Sequence, residues 1–128
     1  MYPESLRYTT SHEWARLDGD ICTIGITQYA VDQLTDVTNL SLPKVGAKIS
    51  AGKPFGEIES VKAVFDLNCP VTGEVVEVHK ELDKDLSIIN SDPYKAGWMI
   101  KVKLADGATL DHLADSAKYT AQVAADAH

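Results

Sequence analysis

Residues 57–67, EIESVKAVFDL, decide the fold of this chain because they predict a β-hairpin with a lysine at its tip. Apolar residues stand on both sides of the segment, and small or polar residues occupy its centre. Lys62 would project into solvent, with no residue to pair against other than Glu59 or Asp66. Most exposed lysines are simply solvated, so the hairpin alone assigns no function.

Residues 40–79, which include this hairpin, contain two strand-turn-strand units with a similar spacing of apolar residues and glycines. Apolar residues punctuated by glycine over 45–55 form the first unit, and a similar pattern over 71–78 begins the second. Two such units facing each other would form a flattened barrel, with the hairpin tip where they join. The pattern therefore predicts a mainly β fold.

Further strands are predicted by alternation of apolar and polar residues over 20–26, 74–78 and 98–104. The side chains expected to face the core are Cys22, Ile24, Ile26, Ile100, Val102 and Leu104.

Two peripheral helices are also predicted. Thr27 is expected to cap the N-terminus of a helix over 28–34. A second helix is expected in the C-terminal segment 109–125, with Asp111 near its positive N-terminal end. The apolar face of that second helix would comprise Leu110, Leu113, Ala114 and Ala117.

Charge and composition argue against several kinds of partner. The 128 residues carry 12 Lys and Arg against 19 Asp and Glu, and the net charge of −7 is spread along the chain. Phosphate binding needs clustered basic residues, so we expect neither nucleic acid nor an anionic membrane surface as a partner. No apolar run approaches the ~20 residues of a membrane span, and the first residues show no secretory signal.

Cysteine and histidine usage predicts no disulfide framework and no metal site. Cys22 and Cys69 form no CxxC pair, which favours two free, mostly buried thiols in a reducing cytoplasm over a disulfide. No metal-ligand spacing connects the four histidines, which are His12, His79, His112 and His128.

The motif around Lys62 carries a resemblance to a known family. Residues 59–63, ESVKA, followed by 70–74, PVTGE, resemble the lipoylation site of the glycine cleavage system H-protein family. Further segments are similar to that family in the same order along the chain. They are Tyr8 with residues 11–14 (SHEW), 25–27 (GIT), 42–46 (LPKVG), 90–94 (NSDPY) and 97–98 (GW).

The resemblance implies a single lipoyl domain over 1–128, whose lipoyl core spans about 20–104. Its fold would be a lipoyl/biotinyl-type flattened β-barrel, a barrel-sandwich hybrid with small helices. Lipoate would be attached covalently to Lys62, and the protein would be a carrier without catalysis of its own. The lipoylating enzyme, a lipoate-protein ligase or lipoyl synthase, would recognise the neighbours Glu59, Ser60, Val61 and Ala63.

The resemblance also implies partners and a cleft for the arm. The arm would accept an aminomethyl group from glycine decarboxylase, yield it to the aminomethyltransferase and be reoxidised by dihydrolipoyl dehydrogenase. Glu13 corresponds to a family glutamate that lines the cleft of the loaded arm. Gln33 stands where the family can hold a histidine; it can hydrogen-bond but cannot titrate near neutral pH.

Other departures from the family pattern leave the lipoylation motif intact. Thr35 stands where glycine is usual, Phe65 where a small residue is common, and Cys69 where serine or alanine is usual. Attachment is therefore expected, while the pathway stays open. The alternative is an H-protein-like lipoate-binding protein that carries sulfur intermediates for a heterodisulfide-reductase-like complex.

Competing roles for Lys62 fit the sequence less well. Biotinyl lysines typically lie between two methionines, whereas Val61 and Ala63 flank this one. A Schiff-base lysine needs burial or a neighbouring cation, which acidic neighbours do not provide. An unmodified interaction domain on the same scaffold is the remaining class, and the intact ESVKA motif favours the carrier over it.

Overall fold

A computed structural model describes residues 2–126 of the chain, and nine antiparallel strands dominate this part of it. The strands are β1 (Arg7–Tyr8), β2 (Glu13–Asp18), β3 (Ile21–Ile26), β4 (Val37–Ser41), β5 (Lys48–Ile49), β6 (Pro54–Ser60), β7 (Val64–Asn68), β8 (Gly73–Val78) and β9 (Ile100–Leu104). One sheet has the order β1-β2-β3-β9-β8-β5, and the other has the order β4-β6-β7. The mainly β class predicted from the sequence is confirmed.

Strands β6 and β7 form the hairpin predicted from residues 57–67. Glu59 pairs with Val64 at the last register position before the tip, so Lys62 lies in the turn. The two repeated units are joined within the larger sheet, because β5 of the first unit pairs with β8 of the second. The hairpin therefore projects from the smaller sheet, whose other strand is β4.

Four short helical segments connect and cover the strands. They are α1 (Gln28–Leu34), a 3₁₀ helix (Lys80–Asp83), α2 (Ser87–Ser91) and α3 (Ser116–Asp126). The first confirms the prediction, and the Thr27 hydroxyl accepts a hydrogen bond from the Ala30 amide at 3.3 Å as its N-cap. The 3₁₀ helix and α2 were not predicted.

The C-terminal helix begins later than the sequence pattern over 109–125 suggests. Ala114 forms an antiparallel bridge with Tyr8 instead of entering a helix. Asp115 is the cap that begins α3, since its carboxylate accepts the Lys118 amide at 2.8 Å. The expectation that Asp111 lies at the helix N-terminus was therefore wrong, because the amide and carbonyl of Ala114 are both hydrogen-bonded to Tyr8 in β1.

The core lies between the two sheets and contains the side chains predicted to face it. Cys22, Ile24 and Ile26 are buried, as are Ile100 and Val102. Leu104, the last of the predicted set, is only half-buried at the end of its strand. Among residues 2–126, no helix is long and apolar enough to cross a membrane.

Strand β3 is buried on both faces because a second cluster of aromatic side chains covers its outer side. Trp14 packs so closely on Gly25 that a Cβ there would lie 2.7 Å from the indole. This second cluster joins the N-terminal strands to α3 through Tyr8 and Tyr119, whose rings stack 4.5 Å apart.

Candidate functional site

Lys62 lies exposed at the tip of the β6–β7 hairpin. Its neighbour Val61 is 68% exposed, so the tip stands clear of the rest of the fold. Within residues 2–126, no carboxylate lies at ion-pair distance from the Lys62 amine. The amine is therefore accessible to a modifying enzyme.

The backbone around Lys62 is braced by the side chain of Ser60. The Ser60 hydroxyl accepts hydrogen bonds from the amides of Lys62 at 3.2 Å and Ala63 at 3.1 Å. The Ser60 amide donates to the Ala63 carbonyl at 2.8 Å, and the Val61 amide donates to the Asp36 carbonyl at 3.3 Å. A hydroxyl thus replaces a backbone acceptor in the turn, which holds the tip in one shape while the lysine side chain stays in solvent.

The four predicted recognition residues occupy different environments at this tip. Glu59 and Val61 are exposed, Ala63 is half-buried and Ser60 is buried. An enzyme that approaches the tip could touch the first two directly. Ser60 would act through the shape of the turn. That these residues are recognised by a lipoylating enzyme stays a prediction.

Acidic side chains flank the hairpin. Glu57 lies directly opposite Asp66 in the register, and Glu59 lies opposite Val64. None of these three carboxylates forms an ion pair within residues 2–126. The strands below Lys62 consequently carry an uncompensated negative charge.

A cleft of about 460 Å³ lies beside the hairpin. Its walls are the loop 10–12 with the first residue of β2, one side of α1, and the strands β6 and β7. This volume falls within the range of roughly 300–1,000 Å³ that small-molecule sites occupy. Both predicted cleft residues, Glu13 and Gln33, line it, the first from the start of β2 and the second from the helix.

Glu13 is a buried carboxylate with defined partners. Its Oε1 accepts hydrogen bonds from the hydroxyls of Thr9 and Ser11, both at 2.5 Å. Its Oε2 accepts a hydrogen bond from the backbone amide of Asn68 at 3.1 Å. Burial raises the pKa of the Glu13 carboxyl above its ordinary value, although these hydrogen bonds oppose the shift. A carboxylate offers about four acceptor positions, so Oε2 retains one for a further donor.

Gln33 differs from Glu13 because it is exposed. It lies on the cleft side of α1, two residues before Thr35. Its amide group has both donors and an acceptor and stays neutral at every physiological pH. It can therefore contact a polar group in the cleft but cannot act there as a proton acceptor.

Sequence reasoning missed the network behind the cleft. The Tyr119 hydroxyl lies 2.7 Å from His12 Nδ1 and 2.7 Å from the Thr27 hydroxyl. His12 lines the cleft with a φ of 75°, and Thr27 caps the helix that forms another wall. These partners are 107 and 92 residues from Tyr119, and no local pattern links them.

Both cysteines are buried and free. Cys69 directly follows β7, and its thiol lies 2.8 Å from the Val71 carbonyl oxygen. Burial raises the pKa of both thiols to about 12. Each thiol therefore stays protonated and packs as a small apolar group.

The histidines within the described residues lie apart from one another. His79 stacks on Trp98 with ring centres 4.3 Å apart, and His112 Nε2 lies 2.7 Å from the Pro70 carbonyl oxygen. His128 lies outside the described residues. Over residues 2–126, no three His, Cys, Asp or Glu side chains are grouped to hold a metal ion.

Fold and site together define a carrier domain, in which a two-sheet β-scaffold displays one lysine on a braced hairpin beside a mainly apolar cleft. The family model described as "Glycine cleavage H-protein" matches residues 6–126. The chain belongs to the glycine cleavage H-protein family, whose members are non-catalytic lipoyl carriers.

Individual relatives cover nearly the whole chain. It is 50% identical over 123 residues to the glycine cleavage system H protein of Synechococcus elongatus, covering 96% of this chain and 95% of that protein. It is 49% identical over 122 residues to the glycine cleavage system H protein of Brevibacillus brevis, covering 95% and 97% respectively. A crystal structure of the Mycobacterium marinum H protein matches with a TM-score of 0.88 at 37% identity, covering 95% of this chain and 98% of that chain. These comparisons give no support to the sulfur-oxidation alternative.

Proposed function

We propose that Lys62 carries lipoate in amide linkage and that this arm transports the aminomethyl group of glycine cleavage. The observation that carries the proposal is the exposed Lys62 on a turn braced by Ser60, next to a cleft that ends at a buried carboxylate. The residues present fit the group, because an accessible amine is needed for attachment and an apolar cleft suits an acyl chain.

The protein's own residues would bind and orient the arm. When bound, lipoate supplies a disulfide that accepts two electrons and, once opened, a thiol that holds the cargo. The Ser60 brace fixes the point from which the arm swings, which keeps the arm within reach of its cleft. The open acceptor position on Glu13 Oε2 suits the ammonium of an aminomethyl cargo, and Gln33 offers a second polar contact.

The proposed partners follow from this role and from the names of the relatives. A lipoate-protein ligase or lipoyl synthase would modify Lys62, and Glu59 and Val61 are exposed for contact with it. Glycine decarboxylase, the aminomethyltransferase and dihydrolipoyl dehydrogenase would then meet the oxidised, the loaded and the reduced arm in turn. The acidic hairpin strands favour partners whose binding surfaces are basic.

Attachment is tested by the intact mass of the chain after expression with an active lipoate ligase and lipoate. We expect a mass increase of one lipoyl group, and we expect Lys62→Arg to abolish it, because an arginine keeps the charge but lacks the amine. Lys53→Arg is the matched control, since Lys53 is also exposed but lies outside the tip. An unmodified wild-type mass, or a modified Lys62→Arg variant, would contradict the proposal.

The cargo is tested by offering the oxidised, lipoylated chain to glycine decarboxylase with glycine labelled at its α-carbon, since the carboxyl carbon leaves as carbon dioxide. We expect label to accumulate on the wild-type chain and not on the Lys62→Arg chain. A chain of correct lipoylated mass that acquires no label would contradict the assignment to glycine cleavage and leave the attachment standing.

A further inference from the structure

We propose that Asn90 is a positioning residue for the modification of Lys62, acting through the backbone that follows α1 and supports the hairpin tip. This inference rests on the proposed function, since the reaction it concerns is the attachment of lipoate to Lys62. Asn90 begins the motif 90–94 (NSDPY), which the proposed function leaves without a role.

The hairpin tip is joined to the backbone outside the hairpin through the Val61 amide. The amides of Ser60, Lys62 and Ala63 all donate to acceptors within the tip itself. The Val61 amide instead donates to the Asp36 carbonyl at 3.3 Å. The orientation of the Asp36 carbonyl therefore affects the direction in which the tip presents Lys62.

The residue before Asp36 has a backbone conformation that must be maintained from outside. Thr35 has φ 60° and ψ −125°, a region in which a β-branched residue persists only when its surroundings hold it there. The side-chain amide of Asn90 donates a hydrogen bond to the Thr35 carbonyl. Without this bond Thr35 can rotate towards a commoner conformation, and that rotation would move the Asp36 backbone.

The motif that contains Asn90 is anchored at both ends of α1 and in the core. The Tyr94 hydroxyl accepts a hydrogen bond at 2.8 Å from the amide of Gln28, the first residue of α1. Asn90 itself bonds to Thr35, which caps the opposite end of that helix. Ile89, the residue before Asn90, is fully buried. Packing therefore holds the Asn90 donor in place, which allows it to fix the exposed backbone at Thr35.

The test measures the steady-state kinetics of a lipoate-protein ligase with lipoate, ATP and this chain as the varied substrate. We expect Asn90→Ala to raise the KM for the chain about fivefold with kcat unchanged, because the competent tip conformation loses one net hydrogen bond and becomes less populated. Alanine favours a helix, so α2 should persist. Ser91→Ala is the matched control and should leave KM unchanged, since the Ser91 hydroxyl donates within α2, to the Ile88 carbonyl at 3.4 Å.

A second substitution distinguishes positioning from a general loss of stability. Glycine adopts the conformation of Thr35 without strain, so Thr35→Gly in the Asn90→Ala background should return KM to within about twofold of the wild type. Amide hydrogen exchange on the unmodified chain gives a readout that does not depend on the ligase. In Asn90→Ala the Val61 amide should exchange faster, while the Ser60 amide keeps its protection.

Three results would overturn the inference: an unchanged KM in Asn90→Ala, an equal rise in Ser91→Ala, or no recovery on adding Thr35→Gly. In each case a lipoylated wild-type mass would leave the proposed function standing. Absence of a lipoylated wild-type mass would overturn both.

Discussion

At the scale of single residues, Thr35 holds a backbone conformation that β-branched residues rarely adopt. It ends α1 with φ 60° and ψ −125°, a region populated almost entirely by glycine. The conformation is maintained from both sides, since its amide bonds to the Val31 carbonyl at 3.0 Å and its carbonyl accepts the Asn90 side-chain amide. The strain directs the chain from α1 into β4, whose preceding residue Asp36 supports the hairpin tip.

Thr35→Gly should stabilise the protein. Relief of the positive φ contributes about 1–3 kcal/mol, and the greater entropy of glycine in the unfolded chain offsets about 0.4–1 kcal/mol of it. Loss of the Thr35 hydroxyl bond to the Leu34 carbonyl reduces the gain further. We therefore expect the free energy of unfolding, measured by urea denaturation, to rise by about 0.5–1 kcal/mol.

Thr35→Ala is the control for this substitution, because it removes the same hydroxyl but keeps the Cβ that causes the strain. It should be no more stable than the wild type. A Thr35→Gly variant that is no more stable than Thr35→Ala would show that the residue is not strained.

At the scale of elements, strand β8 explains why a glycine follows Lys62 by eleven residues. Gly73 pairs with Ile49 on one side and with Leu104 on the other. A Cβ at Gly73 would lie 2.1 Å from the Lys103 carbonyl oxygen, a backbone atom that cannot yield without moving β9. The glycine in the motif therefore serves close packing of the barrel.

Gly73→Ala should destabilise the fold by about 1–3 kcal/mol, because the new methyl group forces a backbone shift in a close-packed sheet. The denaturation midpoint in urea measures this. Val76→Ala on the same strand is the control, since Val76 is partly exposed and should cost about 1 kcal/mol at most. The folded Gly73→Ala chain should still gain a lipoyl group; failure to do so would indicate that Gly73 is recognised by the modifying enzyme.

At the scale of the whole molecule, α3 is coupled to two walls of the cleft through one buried hydroxyl. Tyr119 is fully buried and stacks on Tyr8 of the first strand. Its hydroxyl contacts His12 in the loop wall and Thr27 at the start of the helix wall. The last helix of the described chain thereby helps position the loop that directly precedes Glu13.

Tyr119→Phe should keep the ring stacking and remove both hydrogen bonds. We expect a loss of about 2 kcal/mol in the free energy of unfolding, because buried polar groups lose a partner. Amide hydrogen exchange should become faster over 9–13 and 27–31 while the amides of the hairpin tip keep their protection. Lipoylation of Lys62 should be unaffected.

Tyr29→Phe provides the comparison for this prediction, since the Tyr29 hydroxyl makes no hydrogen bond to any residue between 2 and 126 while its ring contacts His12. Its effect should stay within about 0.5 kcal/mol. Equal effects of the two substitutions would show that the Tyr119 hydroxyl does not hold the cleft walls.

The predictions from sequence succeeded where the structure depends on near neighbours. The hairpin with Lys62 in its turn, the cap at Thr27 and the alternation of β9 follow from side-chain periodicity and from local hydrogen bonds. The helical pattern over 109–125 failed in its first part. The helical spacing of apolar residues there is overridden by a long-range contact, since Ala114 forms a β-bridge with Tyr8.

By itself the sequence determined the β-rich class and the hairpin that presents Lys62 in its turn, since strand periodicity and turn chemistry depend on consecutive residues. Only the tertiary structure decided the cleft. Glu13 accepts a hydrogen bond from the backbone of Asn68, which is 55 residues away in the sequence, and His12 contacts the Tyr119 hydroxyl, which is 107 residues away. The exposed Phe65 lies at the edge of the same cleft. Such contacts arise from how the sheets and α3 pack together, so no local pattern of residues encodes them.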